Sequence, residues 1–135
     1  AIAAGIEPAE ALLAFMEFLG DSPLLAFHAG FDQRMLARAL KDTLNLRLRH
    51  PFYDVAELAP MLCPQAEIRN GGLDDWTAYF GLQVGQRHHA SADALVTAEL
   101  ALILFSRARK QQADSLKALE QRLKSWRQRL QGHSL

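Results

Sequence analysis

Cysteine is nearly absent: Cys63 stands alone among 135 residues. One thiol closes no internal disulfide, which excludes a disulfide-stapled secreted scaffold and makes a reducing cytoplasm the expected compartment. Such a cysteine is expected to be a small packed side chain. Long apolar runs are missing too. The richest stretch, Leu95 to Phe105, is interrupted by Thr97 and Glu99, far from the roughly 18–20 unbroken apolar residues of a membrane helix. The amino end has no basic stretch followed by an apolar run, so no secretory signal is expected. There is no internal repeat and no low-complexity tract. Net charge is absent as well, 15 Lys and Arg balancing 15 Asp and Glu, so no global field draws the chain to a polyanion.

What is present suits a folded domain. Half of the residues are hydrophobic, and a chain of this size buries about two-thirds of its unfolded surface. The balanced charge is unevenly placed. From Phe105 onward eight bases face two acids, a formal +6, which leaves −6 on residues 1–104. If the first part handles a polyanion, metal ions must offset its carboxylates. The chain therefore divides into residues 1–104 and a basic amphipathic tail helix at 105–135.

Local patterns place the elements. Glu7-Pro8 opens a helix, proline fitting a first helical position. Leu12, Leu13, Phe15, Met16 and Leu19 form its apolar stripe and Gly20 ends it. Pro23–Phe27 is a short, wholly apolar run, the pattern of a buried parallel strand. His28-Ala29-Gly30 is a turn, and a helix runs from Asp32 to Leu44 with Met35, Leu36, Ala39 and Leu40 inward. Phe52-Tyr53 is a second strand, after which Asp54 caps a helix reaching Leu62. Residues 64–72 form a loop and Leu73–Phe80 a helix stopped by Gly81, with Trp76 and Phe80 in the core. A long helix starts near Ser91. In the tail, Leu116, Leu119, Leu123, Trp126 and Leu130 form a two-heptad seam. It suits packing on its own domain and pairing with a second chain equally. The alternation is α/β and mostly helical, with few strands for a sheet of that class.

Two clusters carry the chemistry. One is Ala26-Phe27-His28-Ala29-Gly30-Phe31-Asp32; the other is His88-His89-Ala90-Ser91-Ala92-Asp93-Ala94. Each sets a carboxylate after a turn, in the first turn of a helix, where backbone N–H groups and the helix dipole favour negative charge. Ionised oxygen ligands suit Mg²⁺ or Mn²⁺. Five helical residues rotate a side chain by about 140° net, so for His88 to reach the same site as Asp93 it must sit on the preceding loop. An imidazole there suits a general base that deprotonates water. His89 is expected to face solvent. His28, His50 and His133 are expected to be structural or exposed.

These clusters resemble the second and third motifs of the DnaQ-like, DEDDh 3′–5′ exonucleases, including the polymerase III epsilon-like group. His88, Ala90, Asp93 and Ala94 match a His-x-Ala-x-x-Asp-Ala motif position for position. Ala29, Phe31 and Asp32 match His-Asn-Ala-x-Phe-Asp, with Phe27 and His28 in the usual His and Asn places. The resemblance covers roughly Pro8 to Phe105. It implies that residues 1–104 are the C-terminal part of an RNase H-like exonuclease domain missing its opening strands. It implies release of nucleoside monophosphates from the 3′ end of single-stranded nucleic acid; the residues do not separate DNA from RNA, of which DNA is the favoured substrate, and the lack of a long apolar run leaves no membrane partner expected. Two divalent metal ions, Mg²⁺ or Mn²⁺, would serve, with Asp93 and Asp32 as metal ligands and His88 as the catalytic base.

The family's Asp-x-Glu strand, which supplies two more carboxylates, has no counterpart before Pro8. With two ligands of four, this chain alone is expected to be inactive. The Leu24–Phe27 strand would lack its neighbour and present an edge that pairs with another copy or is covered by a helix. Either that edge or the Leu116–Leu130 seam would then carry a homodimer. Two rival readings stay open: a non-catalytic helical binding or dimerisation module on the same scaffold, and a different metal-dependent hydrolase using His28, His88, Asp32 and Asp93.

Overall fold

A computed structural model describes residues 8–86 and 88–133. Glu7 of the helix opening, the segment preceding Pro8 and the side chain of His133 lie outside the described residues. Among the described residues six α-helices and two short strands follow in order: α1 (Pro8–Leu19), β1 (Leu24–Ala26), α2 (Ala29–Leu44), β2 (Phe52–Asp54), α3 (Val55–Leu62), α4 (Leu73–Phe80), α5 (Ala90–Lys110) and α6 (Leu116–His133). A single 3₁₀ turn at Pro64–Ala66 interrupts the loop expected at 64–72. The strands pair in a two-stranded parallel sheet. The chain forms two compact units, one reaching to Tyr53 and the other starting at Asp54.

In the first unit, α1 packs on α2 and α2 on β1. Pro8 takes the first helical position of α1, as expected. Only Leu19 of α1 is fully buried, and Leu12 and Met16 are half-buried. These three step by four and three along one line. Leu13 and Phe15, grouped with them from composition, lie about 100° to either side and are 45% and 40% exposed. Gly20 ends the helix at φ 56°, a conformation glycine adopts without a Cβ penalty. Its N–H donates to the Met16 carbonyl at 3.1 Å, and its own carbonyl accepts from His50 Nε2 at 2.5 Å. His50 is thus structural. In α2 the inward stripe is Leu36, Ala39 and Leu40, with Leu40 wholly buried. Met35, expected inward, is 57% exposed. It lies five residues before Leu40, about 140° around the helix. The Leu24 N–H donates to the Pro51 carbonyl at 2.9 Å. β1 has β2 on one side and no second strand among the described residues, and Leu25 is 39% exposed.

The second unit is built around α3, which packs on α5 and on α6, while α4 also packs on α5. Asp54 starts α3 as expected: its Oδ1 accepts from the Ala56 N–H at 3.0 Å. Leu58 and Leu62 of α3 and Leu100 and Leu104 of α5 are fully buried, each side chain contributing roughly 2 kcal/mol of apolar burial. At the start of α4 the Asp75 carboxylate accepts from the Gly72 N–H at 2.8 Å, and Gly81 at φ 68° ends it. Trp76 is buried, with the half-buried Phe80 ring near-parallel at 6.2 Å. Arg107 lies over Phe80, 5.4 Å from the ring centre, within cation–π range.

α5 runs unbroken past Leu104 to Lys110, so the change of charge at 105 falls inside a helix; the tail helix proper is α6. Its seam serves its own unit. Leu119 and Leu123 are buried at 3% exposure and Trp126 is half-buried, while Leu116 and Leu130 are 44% and 48% exposed. Arg127 clasps Glu57 of α3 through Nε to Oε2 at 2.8 Å and Nη2 to Oε1 at 2.5 Å. That hydrogen-bonded partner pushes the guanidinium pKa still further up. No helix among the described residues is long and apolar enough to cross a membrane.

Candidate functional site

Each cluster is built on a left-handed histidine. At the end of β1 the backbone of His28 turns at φ 65°, ψ 54° and serves as the N-cap of α2. Phe27 and His28 make the turn expected to span His28–Gly30, so the helix begins at Ala29 rather than at Asp32. Asp32 becomes its fourth residue, still in the first turn, with an exposed side chain. The ring of Phe27 meets that of His28 edge-on at 4.8 Å.

The second cluster is tied more tightly. His88 adopts φ 73°, His89 is the N-cap of α5, and Asp93 is the fourth helical residue. The Asp93 N–H donates to the His89 carbonyl at 2.9 Å. In return, Asp93 Oδ1 accepts the His88 backbone N–H at 3.2 Å. The half-buried carboxylate is thereby held against the loop that carries the exposed His88 ring. His88 stands on the loop, as its spacing requires, and His89 is solvent-exposed. A non-glycine residue at positive φ is uncommon, although histidine is among the types enriched there. Asn45, Glu67, Asn70 and Gln112 share the positive φ, so the conformation shapes the turn and does not by itself mark a site. It was not legible from the sequence, where a polar non-glycine residue directly before a helix was the only signal.

His88 and Asp93 are therefore brought together, both in the second unit; Asp32 belongs to the first. Among the described residues no group of three or more His, Cys, Asp or Glu side chains is placed to hold a metal ion. Of the rival set, His28 and Asp32 lie in the first unit and His88 and Asp93 in the second. The two-ion site implied by the resemblance calls for four carboxylates, so the described residues do not compose it by themselves.

Other reactive groups have structural settings. Cys63 is buried, and loss of solvent pushes its thiol pKa up against the opposing pull of Arg107, which is the reverse of an activated nucleophile. The Thr77 hydroxyl is buried and donates to the Asp74 carbonyl at 3.0 Å.

The fold and clusters define a mostly helical α/β chain in which two short parallel strands each feed a helix, and in which Asp32 and Asp93 stand in the first turns of α2 and α5. In sequence it is similar to PolC-type DNA polymerase III. It is 31% identical to that of Clostridium perfringens over 102 residues, 76% of this chain. It is 36% identical to that of Thermotoga maritima over 93 residues, 69% of this chain. With that of Bacillus subtilis it shares 34% over 95 residues, 70% of this chain. The matched stretch spans only 6–7% of the length of these relatives. The similarity thus falls on a small segment of PolC-type enzymes, where the motifs suggested the epsilon-like group. No family model matches the chain, and no solved structure does.

Proposed function

We propose that this chain is part of a DNA polymerase III-associated 3′–5′ exonuclease of RNase H-like fold, acting on the 3′ end of single-stranded DNA and releasing nucleoside monophosphates. Two sequence similarities support it. The relatives are DNA polymerases III by name, and the two motifs resemble an exonuclease group tied to the same polymerase. The observation that carries the reading is the hydrogen bond from the His88 N–H to Asp93 Oδ1. It ties the Asp93 carboxylate to the backbone of the residue that bears the imidazole, so that a ligand and a neighbouring base would stand at one helix start.

In this reading Asp93 and Asp32 would each hold a divalent ion, Mg²⁺ or Mn²⁺, together with carboxylates of an Asp-x-Glu strand outside the described residues. Bound ions would stabilise the attacking and leaving oxygens at the scissile phosphate. His88, exposed and mobile about its side-chain torsions, would accept the proton of the attacking water. Asp93 would be oriented by the His88 amide and by its place in the first turn of α5.

The test is hydrolysis of 5′-labelled single-stranded DNA by the protein carrying its native upstream sequence. His88→Ala should lower kcat by about 10²-fold or more, and Asp93→Asn at least as far. The 135-residue chain alone should be inactive, and processive mononucleotide release by it would overturn the ligand argument. A native upstream sequence without an Asp-x-Glu strand would favour the non-catalytic module instead.

A further inference from the structure

The elbow between α5 and α6 offers a second place where a nucleic acid could bind. A shallow cavity of about 370 Å³ lies there, lined by Gln112, Gln121, Arg122, Ser125 and Arg129 together with the small Ala113 and Ala118. None of its lining residues is acidic. The stripe Ala118, Arg122, Ser125, Arg129 advances by four, three and four. Each member sits one residue before Leu119, Leu123, Trp126 and Leu130 of the packed seam. Docking of the seam on α3 therefore fixes which way the polar stripe faces.

The two guanidinium groups are held differently from Arg127. Arg127 is neutralised by Glu57, whereas Arg122 is positioned by a neutral partner. Its Nη2 donates to Gln111 Oε1 at 2.9 Å, and Gln111 Nε2 donates to the Leu62 carbonyl at 2.8 Å. Neither Arg122 nor Arg129 has an ion pair among the described residues. The cavity thus presents two uncompensated forks, two amides and a hydroxyl, a donor-rich set suited to phosphate oxygens. Seven residues separate the two arginines, about 10.5 Å along the helix axis. A strand of successive phosphates spans that distance and a single small anion does not. A lipid surface fits poorly, because Leu119 and Leu123 at the middle of the adjoining apolar stripe are buried in the unit and only Leu116 and Leu130, at its two ends, are exposed, which is not the continuous apolar face that lies in a lipid interface.

We infer that this groove binds the phosphodiester backbone of single-stranded nucleic acid without reading its sequence, a surface separate from the Asp93 cluster. The inference rests on the nucleic-acid reading above only for the choice of polyanion.

The experiment is fluorescence anisotropy of the whole chain with a labelled oligothymidylate of about 20 nucleotides, in EDTA so that hydrolysis plays no part. The affinity is measured over a salt series. Arg122→Gln with Arg129→Gln should weaken binding about tenfold at low salt and make the salt slope shallower by about 1.4, at about 0.7 per phosphate contact on a single strand. Arg129→Gln alone, at an exposed position, should give about half the slope change and guards against a folding defect from loss of the Arg122–Gln111 bond. An unchanged affinity and slope would overturn the inference. So would absence of binding at low salt, or equally strong competition by phosphatidylserine vesicles. If the groove fails while Asp93→Asn still abolishes hydrolysis by the longer protein, only the groove is lost; the converse removes only the exonuclease reading.

Discussion

Shortening Leu123 to alanine separates the two roles that the α6 seam could play. Leu123 is 3% exposed and sits where α6 packs on α3. Replacing a leucine so placed costs about 2–5 kcal/mol, the spread reflecting how far the site collapses around the lost atoms. α6 packs at the margin of its unit and can settle partly into the gap, which puts the expected loss at about 2–3 kcal/mol. Leu130 lies on the same seam but is 48% exposed, so Leu130→Ala should cost less than about 1 kcal/mol. Urea unfolding followed by tryptophan fluorescence reports the difference, since Trp76 is buried on α4 and Trp126 half-buried on α6. With a urea slope of about 1 kcal/mol/M for a small unit, the Leu123→Ala midpoint should fall by about 2–3 M. The reasoning fails if the two variants lose equal stability. It also fails if the wild-type midpoint climbs with protein concentration, the mark of a seam buried between chains.

Asp54→Ala removes the cap of α3 and should cost about 1 kcal/mol in the same assay; Asp54→Asn, which keeps an acceptor oxygen, should recover most of it. Cys63 should react with a thiol reagent at pH 8 far more slowly in the native protein than in urea. Its burial also has a pH signature. The folded thiol pKa is raised above the ordinary 9.0, so the unfolded chain releases its proton first as pH rises. The stabilisation is complete below about pH 9 and is lost as pH climbs through the folded value. Wild type should therefore lose stability above pH 9 more steeply than Cys63→Ala, and parallel pH profiles would count against this account.

Elements with strong local signals were legible in the sequence almost to the residue. The α4 helix is bracketed by Gly72 and Gly81, and the start of α3 by Asp54, because capping and left-handed termination are decided within a few residues. The faces were less legible. Met35 and Leu36 are adjacent and both apolar, yet only Leu36 aligns with Leu40, and composition does not reveal which line the neighbouring helix will cover. The partner of the α6 seam was not legible, because α3 lies far back in the chain and no local pattern couples Leu123 to it. At the candidate site, residue types and spacing pointed to Asp32, His88 and Asp93. The amide of His88 reaching the Asp93 carboxylate required the left-handed backbone at φ 73°, a feature residue spacing does not encode. The basic tail read as an undifferentiated charged face. Pairing of Arg127 with Glu57, while Arg122 meets only a glutamine, emerged once α6 was docked.

The embrace of α3 by α6 also bears on how the protein is made. About sixty residues lie between Leu62 and Leu123, and synthesis proceeds at roughly 5–20 residues per second. For several seconds after α3 leaves the ribosome, its flank has no helix to lie against. Glu57 likewise waits for a counter-charge that is translated much later. During that interval the nascent chain holds an oily helix surface in want of a chaperone, and slowing translation just before Leu116 would lengthen the exposure.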